Sequence, residues 1–174
     1  MTRRLAAVLL LCAAACSKPA PVPGGAPAGY VAPDGSFSAS LPGGWKVDDS
    51  PGEHRKASFF GPPDGDKPFS DLISVSFYPA GGRYQNVDEY VASKSSLGPP
   101  ALPREVMVAG VRGVELTVLS EFRDVHTGVH RLVTRALAVP AAKGFFALEH
   151  TWPEGAAPSP AFDELVRSFK PGSR

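Results

Sequence analysis

The side chains that could do chemistry in this 174-residue chain are few and scattered. Imidazoles come first. His126-Thr-Gly-Val-His130 holds two histidines four apart, and Glu149-His150 sets a third beside a carboxylate. Imidazole nitrogen with carboxylate oxygen is a donor set for Zn²⁺ or Cu²⁺. Residues four apart share a face only on a helix, however, and Gly128 between them marks a turn. His130 and His150 meet only if the strands bearing them pair as simple hairpins. Hydroxyls come next. Ser93, Ser95 and Ser96 cluster, but a nucleophile needs a base held against it and a third group to hold the base. No Gly-x-Ser-x-Gly elbow, His-Glu-x-x-His pair, phosphate loop or dinucleotide glycine fingerprint is present. Asp64-Gly65-Asp66 and Asp48-Asp49 lack the spaced oxygens and distal Glu of a Ca²⁺ loop. These groups read as turns and polar surface. No catalytic, metal or cofactor residue is assigned from the sequence, and no cofactor is expected.

The thiols carry a different message. Arg3 and Arg4 precede a short apolar run, Leu5 to Cys12, and then Ala13-Ala14-Ala15-Cys16. A charged start, a short apolar centre and small residues are the layout of a secretory signal peptide. The run is far shorter than the ~20 residues a membrane-spanning helix needs. Small residues directly before a Cys resemble the lipobox of bacterial lipoproteins, although Ala13 stands where that family prefers Leu. The resemblance implies that Cys16 becomes the first residue and carries diacylglycerol and an acyl chain. Each buried CH₂ adds about 0.8 kcal/mol of membrane affinity, so several chains hold a small domain firmly. Ser17 stands where Asp goes with inner-membrane retention, so the same resemblance implies the outer membrane, facing the periplasm. The competing reading is cleavage at the A-x-A site Ala13-Ala14-Ala15, which releases a soluble protein.

Composition sets further bounds. Cys12 and Cys16 are the only cysteines, so the folded part is expected to have no disulfide and no Cys-based metal site. Loss of Arg3 and Arg4 takes the 18 basic residues to 16 against 17 acidic, a net charge near −1. Nucleic acid needs a positive face to offset phosphate, and no basic run is visible. The expected division is 1–15 signal peptide, 16–29 tether, 30–171 globular domain and 172–174 tail. The tether, Ser17 to Gly29, is rich in Pro, Ala and Gly and has no hydrophobic period.

The domain alternates as strands do. Phe37, Ala39 and Leu41 fall on one face, and Trp45 to Val47 resumes after a Pro-Gly-Gly turn. Strands are expected at Ala57 to Gly61 and Leu72 to Tyr78. Asn86 with Glu89 three residues on makes a capping box for a helix bearing Val87, Tyr90, Val91 and Leu97, stopped by Gly98-Pro99-Pro100. Four strands follow, at Arg104 to Ala109, Val114 to Phe122, Arg131 to Val139 and Phe145 to Trp152. Their connections, Gly110 to Gly113, Asp124 to Gly128 and Pro140 to Gly144, are short enough for antiparallel neighbours. A last helix starts at Ser159-Pro160, with Phe162, Leu165, Val166 and Phe169 at i, i+3, i+4 and i+7. Trp45 and Trp152 are expected to pack in the core or at its rim.

This is an α+β order. Gly35-Ser-Phe-Ser-Ala-Ser-Leu-Pro-Gly-Gly-Trp45 resembles the opening of Mog1/PsbP-like domains. The middle helix, the Val106 to Val118 hairpin and the ending Phe162-Asp-Glu-Leu-Val-Arg-Ser-Phe-Lys170 are similar in order and spacing. The resemblance covers about Tyr30 to Pro171. It implies an antiparallel β-sheet flanked by helices, an α/β/α sandwich, and no particular activity. The expected function is that of a membrane-anchored envelope lipoprotein, a non-catalytic binding or assembly module for another envelope protein. The alternative is a small envelope hydrolase or metal-binding protein using His130, His150 and nearby carboxylates.

Overall fold

The computed structural model describes residues 28–50, 52–63, 71–95, 102–124 and 128–172. The expectations for Cys16, the signal peptide, most of the tether, the Asp64-Gly65-Asp66 loop, Ser96, Leu97 and His126 lie outside these residues. The described residues form ten strands, most of them on alternating apolar and polar side chains, and two helices, of which the second is amphipathic and the first buries Tyr90. In chain order they are β1 (Ala28–Val31), β2 (Phe37–Leu41), β3 (Lys46–Asp48), β4 (Arg55–Phe60), β5 (Leu72–Pro79), α1 (Val87–Ser95), β6 (Arg104–Val108), β7 (Val111–Asp124), β8 (Gly128–Ala141), β9 (Gly144–Pro153), α2 (Ala161–Ser168) and β10 (Lys170–Pro171).

Seven strands form one antiparallel sheet in the order β3-β4-β5-β9-β8-β7-β6. Short hairpins explain most of the neighbours. The exception is β9, which pairs with β8 on one side and with β5, far earlier in the chain, on the other. The sheet separates two cores. On one face Ile73, Val75, Leu137, Val139, Phe146 and Leu148 pack with Phe37 of β2 and Phe162 and Leu165 of α2. On the other face Leu116, Val118, Ala136, Ala138, Phe145 and Ala147 pack with Tyr84 and with Tyr90 of α1.

The architecture is thus antiparallel and strand-rich with two helices, and it departs from a plain α/β/α sandwich. The layer holding α2 also holds a second sheet, β1-β2-β10. Two of its strands were not expected. β1 takes in Ala28 and Gly29, residues that composition placed in the tether, by pairing them with Leu41 and Ser40. Phe169 is extended (φ −60°, ψ 128°), so α2 stops at Ser168 and Lys170–Pro171 adds to β2. Phe169 is still buried, stacked on Phe37 at 5.5 Å. Where β10 is too short to cover β2, the Ser168 hydroxyl accepts the Ser40 N–H at 2.7 Å.

The helix starts follow their residues. The Glu89 N–H donates to Asn86 Oδ1 at 2.9 Å, while the Glu89 carboxylate accepts the Gln85 N–H at 2.6 Å. The expected box is present, with the return bond one residue earlier than usual. At α2 the Ala161 N–H donates to Ser159 Oγ at 3.2 Å, and Pro160 already has helical angles.

The β6–β7 turn is tighter than Gly110 to Gly113 suggested. Val108 pairs with Val111, leaving only Ala109 and Gly110 between the strands. Both have positive φ, 49° and 80°, as a type I′ turn requires. Gly110 adopts this freely, whereas the Ala109 Cβ is strained by about 1 kcal/mol. Ala109→Asn, which makes the preferred Asn-Gly pair, is therefore expected to stabilise the fold by up to about 1 kcal/mol in urea titrations. An unchanged or lower midpoint would show that the turn does not limit stability.

Candidate functional site

Polar side chains gather on the sheet face that carries α2, in a row crossing four strands. Arg104 of β6 lies directly opposite Glu115 of β7. Its Nε and Nη2 donate to Glu115 Oε1 at 3.0 and 2.7 Å. Arg135 of β8 donates from Nη2 to Glu115 Oε2 at 2.9 Å and from Nη1 to Asp163 of α2 at 2.6 Å. Its guanidinium lies 5.0 Å from the Phe162 ring centre. Arg135 in turn faces His150 of β9. His150 Nε2 is 3.0 Å from Asp71 Oδ1, just before β5. The imidazole lies between the rings of Trp152 at 4.7 Å and Phe162 at 5.6 Å.

Burial decides what this row can do. Glu115 is 5% exposed and His150 1%. Burial alone would raise the Glu115 carboxyl, but hydrogen bonds and charge from Arg135 and Arg104 outweigh it and hold the group below its usual range. Burial pushes the His150 imidazole down, and Asp71 only partly opposes that. Asp71 orients the ring as the third member of a triad would, yet no described hydroxyl or thiol is bonded to it. His150 is therefore a neutral, positioned ring inside a packed layer.

The opposite face answers with a smaller network. Tyr90 of α1 donates to Glu149 Oε1 at 2.6 Å, and Lys94 Nζ reaches the same oxygen at 2.7 Å. Burial first, then Glu149, raises the Tyr90 phenol well above its ordinary value, so it remains a donor. Successive side chains of β9 thus point to opposite faces, and each polar one has a partner.

The residues picked from sequence end up apart. His130 is five residues before Arg135, the strand partner of His150. Five residues of strand span about 17 Å, and an odd offset puts the two side chains on opposite faces. His130 and His150 cannot share a metal ion. Among the described residues no group of three or more His, Cys, Asp or Glu side chains is placed to hold one. Asp48 accepts the Ser50 N–H at 3.0 Å and faces Arg55 at 3.5 Å. Asp49 faces the Tyr30 hydroxyl at 3.5 Å. Ser95 Oγ donates back to the Val91 carbonyl at 2.8 Å within α1. Trp45 packs against the core and Trp152 is half-buried beside His150, as rim residues. Sequence reasoning missed Asp71, Glu115, Arg104, Arg135 and Asp163. The one available signal was Arg135, a charged residue in phase with Val133, Leu137 and Val139 of its strand.

These features define an antiparallel domain of the Mog1/PsbP-like fold. Solved structures with that fold include the Ran-binding protein Mog1p of Saccharomyces cerevisiae, at TM-score 0.50 and 12% identity over 83% of this chain and 94% of that one. Cyanobacterial PsbP from Synechocystis sp. PCC 6803 is similar at TM-score 0.52 and 12% identity, over 89% and 96%. A protein of Bacteroides thetaiotaomicron is similar at TM-score 0.55 and 14% identity over 84% of this chain, which spans about half (48%) of that protein's length. No protein-family model matches the chain. No curated protein matches it either.

Two predictions follow from the row. Glu115→Ala removes a buried carboxylate and leaves the half-buried Arg135 with Asp163 alone, and is expected to cost about 2 kcal/mol. Arg104→Ala, whose side chain is 66% exposed, is expected to cost less than about 1 kcal/mol. Equal losses in urea titrations would contradict this ranking. His150 binds its proton less readily folded than unfolded, so its contribution to stability is complete above about 6.5 and declines as pH falls below that value. Titrations between pH 7.5 and 5.5 are expected to show this loss in the wild type and a smaller one in His150→Gln.

Proposed function

We propose that the chain is an exported lipoprotein held in the bacterial envelope through Cys16, and that its domain is a non-catalytic module that binds or helps assemble another envelope protein. The observation that carries the proposal is the order Arg3-Arg4, apolar run, Ala13-Ala14-Ala15, Cys16. Ser17 supports the outer membrane as its place. No helix among the described residues is long and apolar enough to cross a membrane. A binding role has two supports. Arg104, Glu115, Arg135 and Asp163 are bonded to one another, and His150 to Asp71, in a covered layer. In addition, one holder of this fold, Mog1p, is named for binding the protein Ran. No observation favours the hydrolase or metal-binding alternative, since His130 and His150 lie on opposite faces.

Intact-mass analysis of the protein extracted from bacterial membranes tests the anchor. It is expected to begin at Cys16 and to carry diacylglycerol and an acyl chain, and Cys16→Ala is expected to leave the membrane fraction. An unmodified start would refute the attachment. Crosslinking in intact cells tests the module: wild type should capture a discrete envelope protein that Cys16→Ala captures poorly.

A further inference from the structure

The large sheet ends on an edge that its own strands do not fill. β6 pairs with β7 only over Val111–Glu115, so β7 from Leu116 to Asp124 has no strand on its outer side among the described residues. The chain stands away from this edge just before β6: Pro103 has no N–H to add to the ladder, and Leu102 is 90% exposed. The β6–β7 turn fixes which groups the edge presents. Val108 and Val111 flank a two-residue turn and so exchange backbone hydrogen bonds. Alternation along β7 then directs outward the N–H and C=O of every second residue, Thr117, Leu119, Glu121 and Arg123. Unpaired backbone groups of this kind are a template for another strand.

Charge decides which strand fits. Glu121 and Arg123 lie on one face of β7, two residues apart, and both are exposed. Arg131 of β8 bonds Glu121 at 3.0 Å and reaches Glu154 at 3.7 Å, so charges alternate out to the edge and stop at an anion. Arg123 stands opposite the apolar Val129 and is in no ion pair among the described residues. We propose that this edge pairs antiparallel with the same edge of a second copy of the chain, about a two-fold axis through residue 122. Glu121 of each copy then lies directly opposite Arg123 of the other, and each such pair exchanges backbone hydrogen bonds, as the outward direction of their N–H and C=O groups requires. Axes through residue 121 or 123 would set Glu121 against Glu121 or Arg123 against Arg123. An axis through residue 120 would leave the charges facing Leu119 and Thr117. The pairing rests neither on Cys16 nor on an envelope partner. Few residues take part, so the association belongs with weak, transient contacts.

The test is sedimentation equilibrium of the full-length protein in a single detergent, with backbone amide hydrogen exchange as the second readout. Dimerisation is expected with a Kd on the order of 0.1 mM. The Glu121 and Arg123 amides are expected to exchange more slowly as the protein concentration rises through that value. Arg123→Glu and Glu121→Arg each set like charges opposite one another twice, and each is expected to weaken self-association at least about tenfold. Mixing the two variants restores both opposite-charge pairs, and the mixture is expected to associate within about threefold of the wild type. Shared micelles would join all these proteins alike, so the comparison isolates the edge. A monomer at about 1 mM, a dimer insensitive to both substitutions, or a mixture no stronger than its components would each overturn the proposal. Protection of the two amides at every concentration would mean that the edge is covered within one chain, and would overturn it as well.

Discussion

The fold turns on one constraint, the burial of β9 on both faces. Phe145 and Ala147 point into the core under α1, and Phe146, Leu148 and His150 into the core under α2. A polar side chain on such a strand has little access to water: His150 is 1% exposed and the Glu149 side chain 23%. It must find a partner or lose the desolvation energy of its polar atoms. Glu149 and His150 are adjacent and face opposite ways, and each is paired. Tyr90 and Lys94 come from α1 to Glu149, while Asp71 comes from the entry to β5 to His150. Those bonds tie the sequence-distant β5 and α1 to the strand that the β8 hairpin delivers.

The same constraint explains how the charged row is built. An isolated Glu115 at an inward position of β7 would be a buried anion. Arg104 and Arg135 supply two guanidiniums and Asp163 balances the second, so the row crosses the sheet with its charges alternating. Arg135 also lies over the Phe162 ring, which fixes α2 against the sheet beside the charges. Such a lattice fixes geometry. A catalytic dyad with the same residue types needs a ring open to substrate, and His150 is almost wholly covered.

Much of the architecture could be read from local sequence, because the dominant signals are periodic. Phe37-Ser-Ala-Ser-Leu41 and Ile73 to Phe77 alternate with a period of two, and Phe162, Leu165 and Val166 mark a stripe of α2. The small sheet was harder to see. Ala28-Gly29 and Lys170-Pro171 have weak strand preferences, and they are strands only because β2 offers open edges on both sides. The Ala109-Gly110 turn was hidden because alanine seldom adopts positive φ, so the glycines at 110 and 113 drew the boundary too late. The polar networks were illegible for a different reason. Glu115 looks like a surface residue until the register of β7, β8 and β9 is known, and Asp71 meets His150 across 79 positions of sequence. Spacing along the chain suggested His130 as the partner, and a shift of five residues in strand pairing removed it.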